Sequence, residues 1–287
     1  MEEHGEGEFT ANDGGYYVGK WKDGRRDGFG FSVAPHEVVK CGVWAKGRFR
    51  GEQMLYHSER IYGIDISKYQ HVHKRRVYGI DWRNLRITRL GHTADRNALG
   101  AVDYPVSFVY IKSTEGLTVF NPYYTQDVRA ARRYGFPVGA YHFFSTRPAM
   151  SQADYFLKKS RLQKGDLPPM LDVELSDRRI AAMGGRDVLF REMLVWLKEI
   201  GRRSGTTPII YVSQDFVNRY MPFAPEELKA YPVWVARYGE YKPYVHLLYW
   251  QLSPDGRVRG IQGDVDIDVF NGSEEQFKRY LRTQTVK

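Results

Sequence analysis

Eight short runs of apolar, β-branched and aromatic residues succeed one another from residue 61 onward. They are Ile61–Ser67, Val106–Ser113, Val138–Phe144, Pro169–Glu174, Ile209–Ser213, Val233–Arg237, Leu247–Leu252 and Val265–Phe270. Each has strand length and is apolar almost throughout, the pattern of strands buried on both faces. Helical signals separate the early runs. Asn121-Pro122 reads as an N-cap followed by proline at the first helical position, and the helix stops near Gly135. A second helix covers Pro148–Arg161. A third, Arg186–Arg203, sets Leu189, Met193, Trp196, Leu197 and Ile200 on one face. After the fifth run the helical segments shorten or vanish, and Ser273–Arg282 forms a terminal helix. Alternating strands and helices imply an α/β fold with a parallel sheet, and eight strands imply a closed barrel, eroded over its last three units. A doubly wound open sheet is the alternative. No Gly-x-Gly-x-x-Gly follows the first run, where a dinucleotide site would sit.

Residues 1–60 carry a different pattern. Gly19-x-Trp21-x-x-Gly24-x-x-x-Gly28 recurs 23 residues later as Gly42-x-Trp44-x-x-Gly47-x-x-x-Gly51, and Gly28-x-Gly30 has an earlier copy at Gly5-x-Gly7. Gly24 and Gly47 can take the positive φ that tight hairpins need. Tyr16, Tyr17, Val18 and Trp21 supply strand-forming bulk. The expectation is a small all-β hairpin-repeat module in which Trp21 and Trp44 stack in register along one face. Because only the Gly-x-Gly end of the first copy is present, the natural protein is expected to extend upstream of Met1, with further repeats and an export signal.

The chain carries a net charge of +9 over 287 residues. Residues 1–60 hold −1 of this and residues 61–287 hold +10. The densest basic run, Lys74-Arg75-Arg76, reads as a solvated loop. No nucleic-acid motif with interleaved aromatics accompanies it, so no nucleic-acid partner is expected. No apolar run approaches the length of a membrane span. Cys41 is the single cysteine, which excludes an internal disulfide and a Cys-rich metal site.

Functional groups of a parallel barrel gather at the C-terminal ends of its strands. Asp65 lies in the first run, Glu115 follows the second, Asp172 and Glu174 end the fourth, and Asp266 and Asp268 lie in the eighth. Asp172-x-Glu174 is the sharpest signal, because side chains two apart on a strand share a face. Their Cα atoms should stand ~6.6 Å apart. Two carboxyls that close cannot both ionise cheaply, and one raised-pKa acid beside an ionised partner suits glycosidic cleavage. Tyr141 and Phe143 on the third strand, Tyr211 on the fifth, Trp234 on the sixth, and Tyr249, Trp250 and Gln251 on the seventh add sugar-binding character. His142 alternates with Tyr141 and Phe143, so a structural role facing the helices is expected of it.

These segments resemble glycoside hydrolase family 25, the Chalaropsis-type lysozymes. The resemblance rests on Gly63-Ile-Asp65-Ile-Ser67-Lys-Tyr-Gln70, Ile80-Asp81-Trp82, Phe108-Val-Tyr-Ile-Lys112-Ser-Thr-Glu115-Gly116, Gly139-Ala-Tyr141-His-Phe143 and Pro168-Pro-Met-Leu-Asp172-Val-Glu174. It continues through Pro208-Ile-Ile-Tyr211, Val233-Trp234-Val-Ala236, Tyr249-Trp250-Gln251 and Gly263-Asp-Val-Asp266-Ile-Asp268. It implies an eight-stranded (β/α)5(β)3 TIM-like barrel over residues 61–287. The implied reaction is cleavage of the β-1,4 bond between N-acetylmuramic acid and N-acetylglucosamine in peptidoglycan, with no metal and no cofactor. Glu174 would be the general acid, Asp172 would stabilise developing positive charge, and Asp65 and Asp266 would complete the catalytic set. Tyr141, Glu115, Phe143, Tyr211, Trp234, Trp250, Gln251 and Asp268 would bind substrate. Residues 1–60 resemble MORN repeats. The implied setting is the cell envelope or the exterior, with peptidoglycan strands as partner and a monomeric enzyme.

Between Tyr69 and Val106 the chain is longer than the family's usual link; His71–Arg76 and Gly91–Asp103 are additions expected to rim the cleft. Two rival readings stand beside the enzyme. One is a wall-binding protein with an inactive barrel, which would need a missing acid. The other makes residues 1–60 a module for membrane or protein contact, with the barrel as passenger. Retention or inversion of configuration stays open.

Overall fold

The computed structural model describes residues 5–12, 15–33, 40–52, 60–73, 75–93, 96–98, 101–236 and 246–287. Lys74, Arg237 and parts of the Gly91–Asp103 addition lie outside the described residues. Eight strands close a barrel: β6 (Ile61–Ile66), β7 (Val109–Glu115), β8 (Val138–Phe143), β9 (Met170–Asp172), β10 (Ile209–Ser213), β11 (Pro232–Ala236), β12 (His246–Arg259) and β13 (Val265–Phe270). Neighbours pair in parallel from β6 through β12. The last strand departs from the expected parallel sheet, because β13 runs antiparallel to both β12 and β6. Residues 260–264 are too few for a crossover, so β12 and β13 form a hairpin.

Helices α1 (Tyr124–Arg133), α2 (Ala149–Ser160), α3 (Asp177–Ala182) and α4 (Arg186–Ser204) follow β7, β8 and β9. Short helices α5 (Gln214–Arg219) and α6 (Glu226–Lys229) follow β10, and α7 (Glu274–Thr283) ends the chain. The N-cap of α1 is Tyr123 rather than Asn121. Asn121 sits just upstream and accepts from the Tyr123 amide through its side chain at 3.1 Å, a turn that precedes the helix. Outward-facing Ile64, Val109, Ala140, Leu171, Ile210 and Val235 meet the helical layer in one apolar core with Phe156, Trp196 and Leu197.

Among the described residues the long link after β6 contains no α-helix. Its Trp82, Leu85, Ile87 and Val106 enter the same outer core, and Tyr104 stacks on Tyr62 at 4.9 Å. Arg86–Arg89 pairs with Arg257–Arg259 at the far end of β12, which explains why that strand outruns its expected end at Leu252. Much of the link therefore covers the barrel's side wall, where a helix would otherwise lie, and does not serve only as a rim. The His71–Arg76 addition is likewise tied down. His71 is buried, its ring stacks on Tyr123 at 4.1 Å, and its Nε2 lies 2.7 Å from Asp127 on α1. Its Nδ1 lies 3.0 Å from the Tyr78 carbonyl oxygen, so both ring nitrogens face acceptors and the imidazolium form fits best.

Residues 5–52 form a five-stranded antiparallel sheet, β1 (Gly5–Thr10), β2 (Tyr16–Lys22), β3 (Arg25–Val33), β4 (Lys40–Ala45) and β5 (Arg48–Glu52), paired in sequence order. Two-residue turns at Asp23-Gly24 and Lys46-Gly47 have positive φ at both positions, the hairpin geometry that matches strand twist. Tyr17, and not a partner tryptophan, mediates the aromatic row: it contacts Trp21 at 5.3 Å and Trp44 at 5.0 Å, both edge-on. Gly30 makes room for that ring, since a Cβ there would lie 2.4 Å from Tyr17. The opposite face packs on the barrel. Val18 and Phe31 share a core with Phe108, Leu248, Phe270, Phe277 and Tyr280. Gln276 Nε2 of α7 donates to the Val18 carbonyl at 2.7 Å. This contact lies at the end of the barrel where β13 finishes, opposite the C-terminal ends of β6 to β12.

Candidate active site

Alternation along each strand decides what enters the lumen. Asp65, Tyr110, Lys112, Tyr141, Phe143, Asp172, Tyr211, Gln251 and Asp266 project inward, while their neighbours in sequence join the outer core. The pairing register brings the acids to one end. Asp266 is the Cα partner of Asp65, and Asp172 is flanked by Phe143 on β8 and Tyr211 on β10. Glu174 lies two residues beyond Asp172, on the same face and exposed. A cleft of about 670 Å³ opens here, lined by Glu174, Tyr211, Gln251 and Asp266, with Ser213, Asp215, Asn218 and Pro254 further out.

Two tyrosines organise the floor. The Tyr141 hydroxyl donates to Asp65 Oδ1 at 3.4 Å, and the Tyr211 hydroxyl donates to Gln251 Oε1 at 3.2 Å. Burial and the surrounding carboxyls push both phenols well above their usual range, so they remain protonated donors. Every acid of the group is raised. Burial lifts Asp65, and Glu174 adds to it, while the Tyr141 and Gln251 hydrogen bonds oppose the rise. Burial, then Asp65 and Glu174, lift Asp266. Asp172 is pushed well above the carboxylate range by burial, then by Glu174 and Asp65, with Lys112 pulling the other way. Glu174 is raised because the cleft walls displace water around it, and Lys112 opposes that rise. The arrangement can hold a proton on one carboxyl while a neighbour carries charge, which is the requirement for acid catalysis. Among the described residues no group of three or more His, Cys, Asp or Glu side chains could hold a metal ion.

The other sequence-derived candidates separate by depth and face. Trp250 is not in the lumen. Tyr249 and Gln251 face inward, so Trp250 must face outward, where it is buried in the outer core with the Arg60 guanidinium 5.9 Å from its ring. Trp234 does face inward, but beneath the site: it is fully buried against Tyr110 and Tyr249 at 5.0 and 4.8 Å. Asp268 is also fully buried one layer below, paired with Gly63 and Gln251. Burial and the carboxyls of Asp65 and Asp266 keep it protonated. These three positions have no open face for a sugar ring. Glu115 and Phe143 sit at the side of the mouth and both contact Lys112, at 2.7 Å and 4.4 Å from Nζ. Lys112 is a site residue outside the sequence-derived candidates; its inward parity, two residues from Tyr110 on a buried strand, is the signal for it.

His142 is the structural histidine its alternation suggested. It is completely buried, with Nδ1 2.7 Å from Thr114 Oγ1 and Nε2 3.0 Å from Gln152 Oε1. Burial depresses its pKa to about 4, so it stays neutral and braces the C-terminal ends of β7 and β8.

A closed barrel that gathers four carboxyls and two tyrosine hydroxyls at one mouth is the layout of a hydrolase working by carboxyl chemistry on a polyhydroxylated substrate. The sequence model of glycosyl hydrolases family 25 matches residues 64–261, and the chain belongs to that family. It is 33% identical over 228 residues to the uncharacterized protein YegX of Escherichia coli O6:H1, covering 78% of this chain and 74% of that protein. It is 29% identical over 229 residues to Lysozyme M1 of Streptomyces globisporus, covering 74% of this chain and 68% of that protein. Among solved structures, the bacterial lysozyme from Streptomyces coelicolor superposes with a TM-score of 0.62 at 26% identity, over 79% of this chain and 98% of that one.

Proposed function

We propose that this chain is a muramidase that cleaves the β-1,4 bond between N-acetylmuramic acid and N-acetylglucosamine in peptidoglycan. The observation that carries the reading is the meeting of Asp65, Asp172, Glu174 and Asp266 at one mouth, in a chain of glycosyl hydrolases family 25. Relatives named lysozyme and N,O-diacetylmuramidase support the choice of bond.

In this reading Glu174 holds a proton at the cleft wall and gives it to the glycosidic oxygen as the C–O bond breaks. Asp172, ionised and fixed below it, stabilises the positive charge that develops at the sugar ring, or orients the substrate's acetamido group to do so. Water then attacks the anomeric carbon and Glu174 recovers its proton. Asp65 and Asp266 hold hydroxyls or the attacking water, and Tyr141, Tyr211 and Gln251 line the saccharide path. The barrel is read as a (β/α)5(β)3 type in which the link after β6 stands in for the first helix. Residues 1–60 are read as a MORN-like module whose described sheet packs on the barrel at the end away from the acids. The site of action is the cell envelope or the exterior. Incubation of the purified chain with purified peptidoglycan tests the reading: new reducing ends are expected, and their absence over a full pH range would overturn it.

A further inference from the structure

An acidic mouth with every carboxyl raised has a physical problem. The reaction proposed above needs Asp172 charged beside a protonated Glu174, yet Asp172 is buried and its Oδ1 has no hydrogen-bond partner among the described residues. Burying an ion without compensation is costly, and the group would ordinarily take a proton instead. A nearby cation is the usual remedy.

Lys112 occupies that place. It projects inward from β7, two residues beyond Tyr110, and its Cα partner on β8 is Tyr141. Its ammonium lies 4.4 Å from the centre of the Phe143 ring, and Phe143 is in turn the Cα partner of Asp172. Register thus sets Glu115, Phe143 and Asp172 in one row across the mouth, and the Lys112 ammonium reaches that row at the Phe143 ring. Glu115 Oε2 accepts from Nζ at 2.7 Å and completes the clamp. The bulge between Lys112 and Thr114 is what turns Glu115 back toward the lysine, since without it the pairing register along β8 would continue unbroken. The Lys112 side chain is 20% exposed and Glu115 is 41% exposed, so the pair closes the mouth's edge with the lysine on the inner side.

We propose that Lys112 is the counter-ion of the Asp172–Glu174 acid pair, a positioning residue held by Glu115 and the Phe143 ring. This rests on the muramidase reading and deepens it. Phe143 and Glu115 then act through the lysine, and not as sugar contacts. Among the described residues, the charged and titratable groups that face the pair are Lys112 and Glu115 from β7, Asp65 from β6, Tyr141 from β8, Tyr211 from β10 and Asp266 from β13. Among the described residues Lys112 is the one cation in that set. Its field favours the charged form of both Asp172 and Glu174. Removing it should raise both. Catalysis that needs Asp172 ionised and Glu174 protonated would then shift as a whole toward higher pH.

The test is the pH–rate profile of the full chain on purified peptidoglycan, with Glu174 titrated in parallel by carbon-13 NMR of its carboxyl. Lys112→Met should move both limbs, and the Glu174 titration, up by about one pH unit. Lys112→Arg should leave them where the wild type has them. If Lys112→Met does not fold, Lys112→Gln replaces it with the same expectation. A fall in rate at every pH with limbs and titration unmoved would mean a structural role and overturn the proposal. Wild-type chain that releases no reducing ends would overturn the muramidase reading, while the NMR titration still decides the role of Lys112.

Discussion

Asp65 and Asp266 face each other as direct Cα partners across the antiparallel seam that closes the barrel. They come from opposite ends of the domain's sequence, and only closure brings them together. Because β13 runs antiparallel, Asp266 near its start reaches the same mouth as Asp65 near the end of β6. Burial raises Asp266 and Asp65 adds to the rise, which ties the seam's stability to its protonation.

A raised carboxyl contributes stability that is fully present below its unfolded-state pKa of about 4 and is lost as pH rises through the folded-state value. Burial, reinforced by Asp65 and Glu174, raises Asp266. The Asp266→Asn variant should therefore melt higher than wild type at pH 8, by roughly 3 °C or more, and level with wild type at pH 4. Calorimetry at the two pH values checks this. The same variant should lose activity, since the acid belongs to the proposed catalytic set.

His71 and Asp127 form a buried pair that pins the link after β6 to α1. Burial opposes charge on His71, but the Asp127 carboxylate and the Tyr78 carbonyl outweigh it and raise the imidazole pKa. For a raised histidine the contribution is present below the unfolded value of about 6.5 and fades as pH climbs through the folded one. Asp127→Asn should cost about 3 kcal/mol in urea unfolding at pH 5.5. At pH 9 the cost should be clearly smaller.

Phe31 sits at the floor of the barrel, 6.0 Å from Phe270 and 6.1 Å from Tyr280 between ring centres. Phe31→Ala should cost about 3–5 kcal/mol, the range for truncating a buried aromatic. Because this floor is at the end away from the acids, kcat at a temperature where the variant is folded should stay within about twofold of wild type. A selective loss of kcat would show that the sheet reaches the active mouth.

Asp172→Asn and Glu174→Gln should separate in binding and rate. Loss of the general acid should lower kcat by about 10³-fold, with melting temperature unchanged or raised. Asp172→Asn should lower kcat by about 10²-fold and leave saccharide affinity nearly intact. Affinity falling as far as the rate would make Asp172 a binding group.

What the sequence made legible follows from local periodicity. All eight barrel strands are visible as apolar runs, and Asp172 with Glu174 share a face because they are two apart. The same rule places Trp250 outside, since Tyr249 and Gln251 take the inner positions; there the aromatic character outweighed the parity. Depth is harder. Trp234 and Asp268 face inward, but only their complete burial in the closed barrel shows that they lie below the open floor. The link strand Arg86–Arg89 was illegible because its partners, Arg257–Arg259, are far away in sequence. Lys112 was hidden for the opposite reason: a lysine next to a strand end normally reads as solvated surface, and its role depends on Phe143 and Asp172 from two other strands.

The most direct measurement is the identity of the sugar at new reducing ends after digestion of purified peptidoglycan by wild type and by Glu174→Gln. The muramidase reading predicts N-acetylmuramic acid at the new reducing ends with wild type, and almost none with the variant at equal folded concentration. New ends bearing N-acetylglucosamine, or equal release by the two proteins, would contradict it.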